Sequence, residues 1–322
     1  MELYNKYFMK QKMMRTLLKT LVIILIFSIY FQGLRVLALT FVNVLAACIV
    51  EFIFEKKINK KTKISEAAIV TAILYTFTLP VSLPFWISIV GIIVGIFFGK
   101  MVFGGFGRNI FNPALVGRAF IYINFPQQLT IFWNETAKLG DFPGGFTKWI
   151  YPILDQNTAA TPMIDYKASG VLPKLQDLLI GDISGVIGET SKILIIILAI
   201  YLVYKKVASW EIMVGSAIGF TALSYILIAL GFEEVMNPLY GMLVGGFLLG
   251  TCFMATDPIS AAKTPTGKWL YGIIVGIVTV IIRSFALFAG GMMFAILIGN
   301  TFAPIIDYTV KYFKSRKKEV KA

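Results

Sequence analysis

An all-α polytopic membrane protein of about ten transmembrane helices is what this sequence predicts, and three observations predict it. Of 322 residues 57% are hydrophobic and only 15% charged, which is not the balance of a soluble chain. Apolar runs near the roughly 20 residues that a spanning helix needs succeed one another from Thr16 almost to Lys311. The basic residues stand in clusters between those runs rather than on one face.

The elements follow in order. A first span over 16–33 comes after Lys6, Lys10, Lys12 and Arg15, and a second over 36–54 is closed by Lys56, Lys57, Lys60, Lys61 and Lys63. The third, 66–79, runs into Phe77-Thr-Leu-Pro80; the fourth, 84–103, is rich in Gly, Ile and Val behind Trp86; the fifth, 109–125, opens on Asn109-Ile-Phe-Asn-Pro113. From Phe125 to Asp182 the apolar pattern stops, and Asp141-Phe-Pro-Gly-Gly145 and Asp155-Gln-Asn-Thr158 read as turns. A loop of that length is usually functional. Spans resume over 186–204, before Lys205 and Lys206, then over 209–230, 237–256, 269–287 and 289–308, ahead of a basic tail from Lys311 to Lys321. The chain thus divides into a first membrane half (1–125), an extracytoplasmic loop (126–183), a second membrane half (184–310) and a basic cytoplasmic tail (311–322).

A net charge of +13 raises the question of nucleic acid, but clusters placed between spans serve orientation under the positive-inside rule, and nucleic acid is excluded as a partner. Ten crossings of the cell membrane from a cytoplasmic N-terminus put all four clusters and the C-terminus in the cytoplasm. They leave Glu233, Glu234 and the 126–183 loop outside, with Arg35 the single exception. No cleavable signal peptide is expected, since the first apolar run is long, starts late and lacks a small-residue cleavage site. The chain has no histidine, so imidazole triads, His-ligated haem and His-containing zinc sites are excluded. Cys48 and Cys252 lie in apolar runs outside any CxxC motif and cannot alone hold a four-cysteine cluster. No metal site is expected.

A weak internal repeat sets Phe77-Thr-Leu-Pro80, Trp86 and Asn109-Ile-Phe-Asn-Pro113 beside Ala255-Thr-Asp-Pro258, Trp269 and Asn300-Thr-Phe-Ala-Pro304. A shift of five spans reverses orientation, so the halves would form two inverted five-helix repeats, as in many transporters. Pro80 and Pro258 then mark broken helices near a binding site. The other reading is that each Thr-x-Pro merely ends its helix.

The loop carries Asp155-Gln-Asn-Thr-Ala-Ala-Thr161 before Pro162. This resembles the Asp-x-x-[Ser/Thr]-[Gly/Ala]-Ala-[Ser/Thr] signature at which a flavin transferase joins FMN to a protein hydroxyl. Lys100-Met-Val-Phe-Gly-Gly-Phe-Gly-Arg-Asn-Ile-Phe-Asn-Pro-Ala114, Gly181-Asp-Ile-Ser-Gly-Val-Ile-Gly-Glu-Thr-Ser191 and Met254-Ala-Thr-Asp-Pro-Ile-Ser260 with Thr264-Pro-Thr-Gly-Lys-Trp269 resemble, in the same order, one family. It is that of the D subunit of the Rnf complex and the B subunit of the sodium-pumping NADH:quinone reductase.

The resemblance implies covalent FMN, joined by a phosphodiester to Thr161 as the last position of the signature, with Asp155 its only charge and Thr158 the second hydroxyl. It implies a membrane flavoprotein that relays electrons coupled to Na+ or H+ transport. Such a chain is inactive alone, has no catalytic residue of its own, and works with other membrane and peripheral subunits of an Rnf-type complex. It also implies a second, non-covalent riboflavin, for which the sequence names no residue. The length and short N-terminal lead resemble the Rnf subunit (ferredoxin:NAD oxidoreductase) more than the quinone-reductase subunit, which is the alternative. A non-redox transporter or channel with an inverted repeat is a third reading. Ile64-Ser-Glu-Ala67 departs from the Asp-Gly-Ser-Ala-like opening expected of the third span.

Among charges inside apolar runs, Glu51, Lys100, Arg118, Glu189, Asp257 and Arg283 are candidates for function. Lys100, Glu51 and Arg283 lie near predicted ends and could snorkel. Glu189 and Asp257 sit in family-like motifs at breaks and are the candidate ion pathway, with an ion pair or a helix cap as the other role. Gly104, Gly105 and Gly107 serve either tight packing at a helix entry or a flavin site; the run lacks a Walker ending.

Overall fold

The computed structural model describes residues 7–58, 60, 62–130, 133, 136–149, 162–189, 191–286 and 290–319, and these are mostly helical. Two short strands, β1 (Phe8–Met9) and β2 (Ile64–Ser65), pair in parallel and clip the N-terminal lead to the start of the third span. The first membrane half holds α1 (Lys12–Gln32), α2 (Arg35–Lys57), α3 (Glu66–Phe77), α4 (Phe85–Ile96, extended by a π turn over Phe97–Met101) and α5 (Pro113–Asn124). The intervening loop contains the short helices α6 (Pro126–Thr130), α7 (Pro162–Ser169) and α8 (Leu175–Ile180). The second half holds α9 (Lys192–Tyr204), α10 (Trp210–Ala229), α11 (Pro238–Leu243), α12 (Phe247–Leu249, extended by a π turn over Gly250–Met254), α13 (Pro265–Phe285) and α14 (Met292–Glu319).

All ten expected runs are helical, yet they are not alike. Five helices are long and apolar enough to cross a membrane by length and composition: Lys12–Gln32, Arg35–Lys57, Trp210–Ala229, Pro265–Phe285 and Met292–Lys317. Glu66–Phe77, Phe85–Met101 and Lys192–Tyr204 are shorter. A 12-residue helix rises only about 18 Å against about 30 Å of hydrocarbon. Burial explains how α3 tolerates this: of its residues all but Ile69 are buried within the protein, so its ends meet protein groups and not lipid.

Small residues set the helix contacts, as expected where lipid removes the hydrophobic drive between helices. A Cβ on Gly95 of α4 would lie 2.5 Å from the Pro113 carbonyl oxygen of α5, and one on Gly272 of α13 would lie 2.6 Å from the Ile212 carbonyl oxygen of α10. The tight turn between α1 and α2 rests on Gly33, whose φ of 92° is left-handed and whose missing side chain lets Lys148 and Trp149 approach. Their carbonyls accept from Leu34 N at 2.8 Å and Arg35 N at 2.9 Å. Arg35, the exception to the charge rule, is held by structure: its Nε and Nη2 donate to Val81 O and Leu83 O at 2.8 and 2.9 Å.

The proline segments end their helices. Thr78-Leu-Pro80 follows the last residue of α3, and Ala255-Thr-Asp-Pro258 follows the π turn after α12. The eighth run is broken elsewhere, at Val244–Gly246, where Gly245 and Gly246 take φ of 69° and 67°. The echo fails at its last member, because Pro113 opens α5 whereas Pro304 lies inside α14.

Candidate functional site

Two of the cavities among the described residues have charged side chains in their walls. One faces the 126–183 loop: α5 contributes Arg118 and Tyr122, Trp133 and Met163 come from the loop, and Glu189 and Gly245–Gly246 complete the lining. The other is lined by Met14, Lys100, Asn109, Asn112, Cys252 and Asp257.

The loop-side cavity is built on helix ends. The last carbonyls of a helix lack intrahelical partners, and at the end of α3 they are satisfied by a segment from far along the chain. Gly188 N donates to Phe77 O at 2.7 Å and Ile187 N to Leu79 O at 2.9 Å, while Arg118 Nη1 donates to Thr78 O. Ser28 Oγ and Gln32 Nε2 of α1 hold the same segment by donating to Ile187 O and Val186 O. That brace carries the Glu189 carboxyl, buried, to the cavity wall. Across from it Arg283 of α13 clamps the broken helix, its Nη1 donating to Gly241 O at 2.5 Å and its Nη2 to Val244 O at 3.1 Å and Gly245 O at 2.8 Å. Arg118, Lys192 and Arg283 are the electrostatic neighbours of Glu189. The Nε of Arg118 and that of Arg283 are buried with no hydrogen-bond partner. In the loop itself, burial pushes the Asp165 carboxyl up and the Lys167 ammonium down, the latter opposed by Glu234.

The second cavity is edged by a closed ion-pair network. Lys100 Nζ donates to Glu51 Oε2 at 2.6 Å and to Ser65 Oγ at 2.7 Å, and Ser65 N and Oγ both donate to Glu51 Oε1, at 2.9 and 2.7 Å. These charges do not snorkel: Glu51 and Lys100 are buried because each is the other's partner. Arg283 does not snorkel either, being spent on the carbonyls of the broken helix. At the corner that departs from the family's pattern, Ser65 joins this network and Glu66 pairs with Arg15 at 2.7 Å.

Glu189 and Asp257 are not brought together; they line different cavities. Asp257 closes a local turn, accepting from Ser260 Oγ at 2.7 Å and more weakly from Ile259 N and Ser260 N, the cap role. Gly104, Gly105 and Gly107 all have left-handed φ in the turn that brings Phe106 and Asn109 to the second cavity. Asp155, Thr158 and Thr161 lie outside the described residues. Among the described residues no three acidic or thiol groups are placed to hold a metal ion. Sequence reasoning missed Lys192, which reads as an ordinary charge near a span's start but is buried. It also missed Asn300, whose amide accepts from Asn112 N at 3.1 Å and donates to Tyr271 Oη at 2.9 Å and Ser260 O at 3.1 Å.

Residues 5–315 match the model of the NQR2, RnfD, RnfE family. The chain is similar to the B subunit of the Na(+)-translocating NADH-quinone reductase from Pseudomonas aeruginosa (strain LESB58), 38% identical over 264 residues that cover 78% of this chain and 61% of that protein. The same-named protein of Azotobacter vinelandii (strain DJ / ATCC BAA-1303) is 39% identical over 264 residues with the same coverage. That of Yersinia pestis is 36% identical over 273 residues, 82% of this chain and 64% of that protein. The chain thus spans less than two thirds of the length of these curated relatives.

Proposed function

The chain belongs to the NQR2, RnfD, RnfE family, and from that membership we propose that it is a membrane flavoprotein subunit that relays electrons in an ion-translocating oxidoreductase, with FMN joined through a phosphodiester to Thr161. The observation that carries the reading is Met163. Two residues beyond the acceptor hydroxyl, it lines the loop-side cavity, which supports a chamber within reach of a group tethered at Thr161. The lining of that cavity is mostly apolar and aromatic with a few polar groups, the make-up of small-ligand sites.

FMN held there would supply one- and two-electron redox chemistry. The chain's own residues do the rest. Arg118 and Tyr122 offer polar contacts from α5, Trp133 offers an aromatic face, and Met292 and Met293 help keep water out. In the attachment motif Asp155 and Thr158 flank the hydroxyl for the flavin transferase. For a second, non-covalent flavin of the riboflavin kind the other cavity is the candidate chamber, with an apolar wall that includes Met14, Leu17 and Phe253; the Asn109, Asn112 and Lys100 polar groups there are already held by protein partners.

The named relatives support the Na+-translocating NADH-quinone reductase assembly over the Rnf-type ferredoxin:NAD assembly that the short lead suggests. In either, the chain acts with membrane and peripheral subunits and not alone. The positive-inside pattern supports cytoplasmic termini and an extracytoplasmic Thr161 loop.

The test is to express the chain with a flavin transferase, purify it in detergent and inspect a denaturing gel for flavin fluorescence on the polypeptide. Thr161→Ala should abolish the signal and leave the helical fold intact, while Thr158→Ala keeps at least part of it. With a known acceptor proving flavin supply, a dark wild-type band sinks the covalent flavin and shifts weight to a non-redox transporter. Retention in Thr161→Ala with loss in Thr158→Ala would move the acceptor.

A further inference from the structure

The segment 137–149 lies across the turn between α1 and α2 and is fastened to it at both ends. Ala137 N donates to Phe31 O at 2.8 Å, and the Lys148 and Trp149 carbonyls accept from Leu34 N and Arg35 N. The two helices have 21 and 23 residues, close to the roughly 20 that cross a bilayer, so the turn that joins them stands at a membrane face. Between its two ends the strap covers Tyr30. The Tyr30 hydroxyl donates to Leu139 O at 2.7 Å, its ring meets Phe146 at 5.8 Å between centroids, and a Cβ on Gly144 would lie 2.8 Å from its Cε2. Tyr30 ends a row on α1: Val22 and Ile26 precede it at four-residue steps, which share one helix face. Val22 and Ile26 are exposed, as are Ile23 and Phe27 beside them. An exposed apolar stripe on a spanning helix is the face it turns to lipid, and the strap lies directly over the end of that stripe.

The outer side of the strap is itself apolar. Leu139, Phe142, Phe146 and Trp149 are exposed, Phe142 at 85% and Trp149 at 55%, and the exposed Lys138 and Lys148 stand among them. We propose that the 137–149 strap is an interfacial foot, seating these four side chains in the boundary between headgroups and acyl chains of the leaflet beside α1. Aromatic rings settle at that level of a bilayer, and a lysine there lays its stem along apolar groups while its ammonium reaches the phosphates. The backbone sets the depth: an irregular strap cannot enter the hydrocarbon, where its N–H and C=O groups would lack partners. A neighbouring protein also covers aromatic side chains, but lysine is depleted at such interfaces, and the register of the strap over the lipid-facing stripe favours phospholipid. The foot uses none of the residues given to a flavin. It ties the 126–183 loop to the membrane surface at a fixed height above the α1–α2 turn.

The experiment is fluorescence quenching of the full chain in bilayer nanodiscs, with Trp149 read as the difference between wild type and Trp149→Phe. Two phosphatidylcholines are compared, one brominated on the acyl chain near the headgroup and one brominated near the chain end. The Trp149 emission should be quenched about twofold or more harder by the first than by the second, as a group held in the interface requires, and should be shielded from aqueous iodide. Should Trp149→Phe fail to accumulate, Phe142→Trp adds a reporter at the most exposed position of the strap, and its added emission should follow the same order. Emission indifferent to both brominated lipids and open to iodide would place the strap in water. Stronger quenching from the chain end would place it among the tails. Either result overturns the foot. So does loss of the lipid quenching when the chain is measured within its assembled complex, for then a neighbouring subunit covers the strap.

Discussion

Removing one member of the Glu51–Lys100 pair should destabilise the protein far more than removing both. The two side chains are 1% and 2% exposed and 2.6 Å apart, and Ser65 closes the network from both sides. Lys100→Met leaves the Glu51 carboxylate with only the Ser65 N–H and O–H, an uncompensated buried charge that typically costs about 3–5 kcal/mol. Glu51→Leu strands the Lys100 ammonium at a similar cost. Replacing a buried pair by apolar groups of like volume is often near neutral, so the double variant Glu51→Leu/Lys100→Met should recover most of the loss. With singles at about 3–5 kcal/mol and a near-neutral double, the cycle should return a coupling of about 6–10 kcal/mol in magnitude, beyond the roughly 0.5–3 kcal/mol usual for residues in direct contact. The assay is denaturant unfolding of the detergent-solubilised chain followed by helix circular dichroism for wild type, both singles and the double. Singles costing under about 1 kcal/mol, or a double equal to their sum, would refute the reasoning, for then the network contributes little beyond its separate parts.

Asp307 of α14 should prove an anchor: it accepts from Lys263 N at 2.8 Å, Thr264 N at 2.9 Å and Thr264 Oγ1 at 2.6 Å, so Asp307→Ala should cost about 1–3 kcal/mol and hasten proteolysis within 255–264. Gly95→Leu, which drives a side chain into the Pro113 carbonyl, should cost more than about 2 kcal/mol in the same unfolding assay, whereas Gly140→Ala, with nothing within 4 Å, should stay within about 0.5 kcal/mol. Asn43 donates to Thr76 Oγ1 at 2.8 Å and accepts from Ser88 Oγ at 2.7 Å, so Asn43→Ala should cost about 1–3 kcal/mol by orphaning the buried Ser88 hydroxyl, measured as loss of denaturation midpoint.

Much of the membrane architecture was legible because apolar run length is a strong signal. The runs at 16–33, 36–54 and 209–230 match α1, α2 and α10 closely, since nothing within them competes with helix. The eighth run was not legible in detail. Its break falls at Gly245–Gly246, and paired glycines in an apolar run look the same in sequence whether they pack helices together or take left-handed φ. What selects the second state is Arg283, 38 residues further on, whose guanidinium collects the freed carbonyls. The proline segments left two readings open for the opposite reason: Thr-Leu-Pro80 can mark a break or a helix end, and the second holds, since the chain ends α3 there and satisfies its carbonyls from residues 187 and 188. Long-range partners decide both cases, and local pattern cannot supply them.

The same limit explains how the charges were sorted. Position along a run made Glu51, Lys100 and Arg283 look able to reach water, but burial depends on what surrounds a helix, and each found a partner inside. What the sequence could not reveal is how near the two cavities are. Asn112 and Pro113 line one, and Leu115 and Arg118, a few residues further along α5, line the other. At about 1.5 Å of rise per residue that is roughly one to two turns of helix. The π turn after α12 repeats the relation, with Cys252 and Phe253 on one side and Met254 on the other. Two flavins seated as proposed would therefore share walls supplied by α5 and the π turn. A π turn admits an extra residue per turn and so re-aims successive side chains, which is how one short stretch can supply walls to both chambers. Under the proposed reading, that shared wall is where electrons cross the protein, and its width is set by α5 and the broken helix clamped by Arg283.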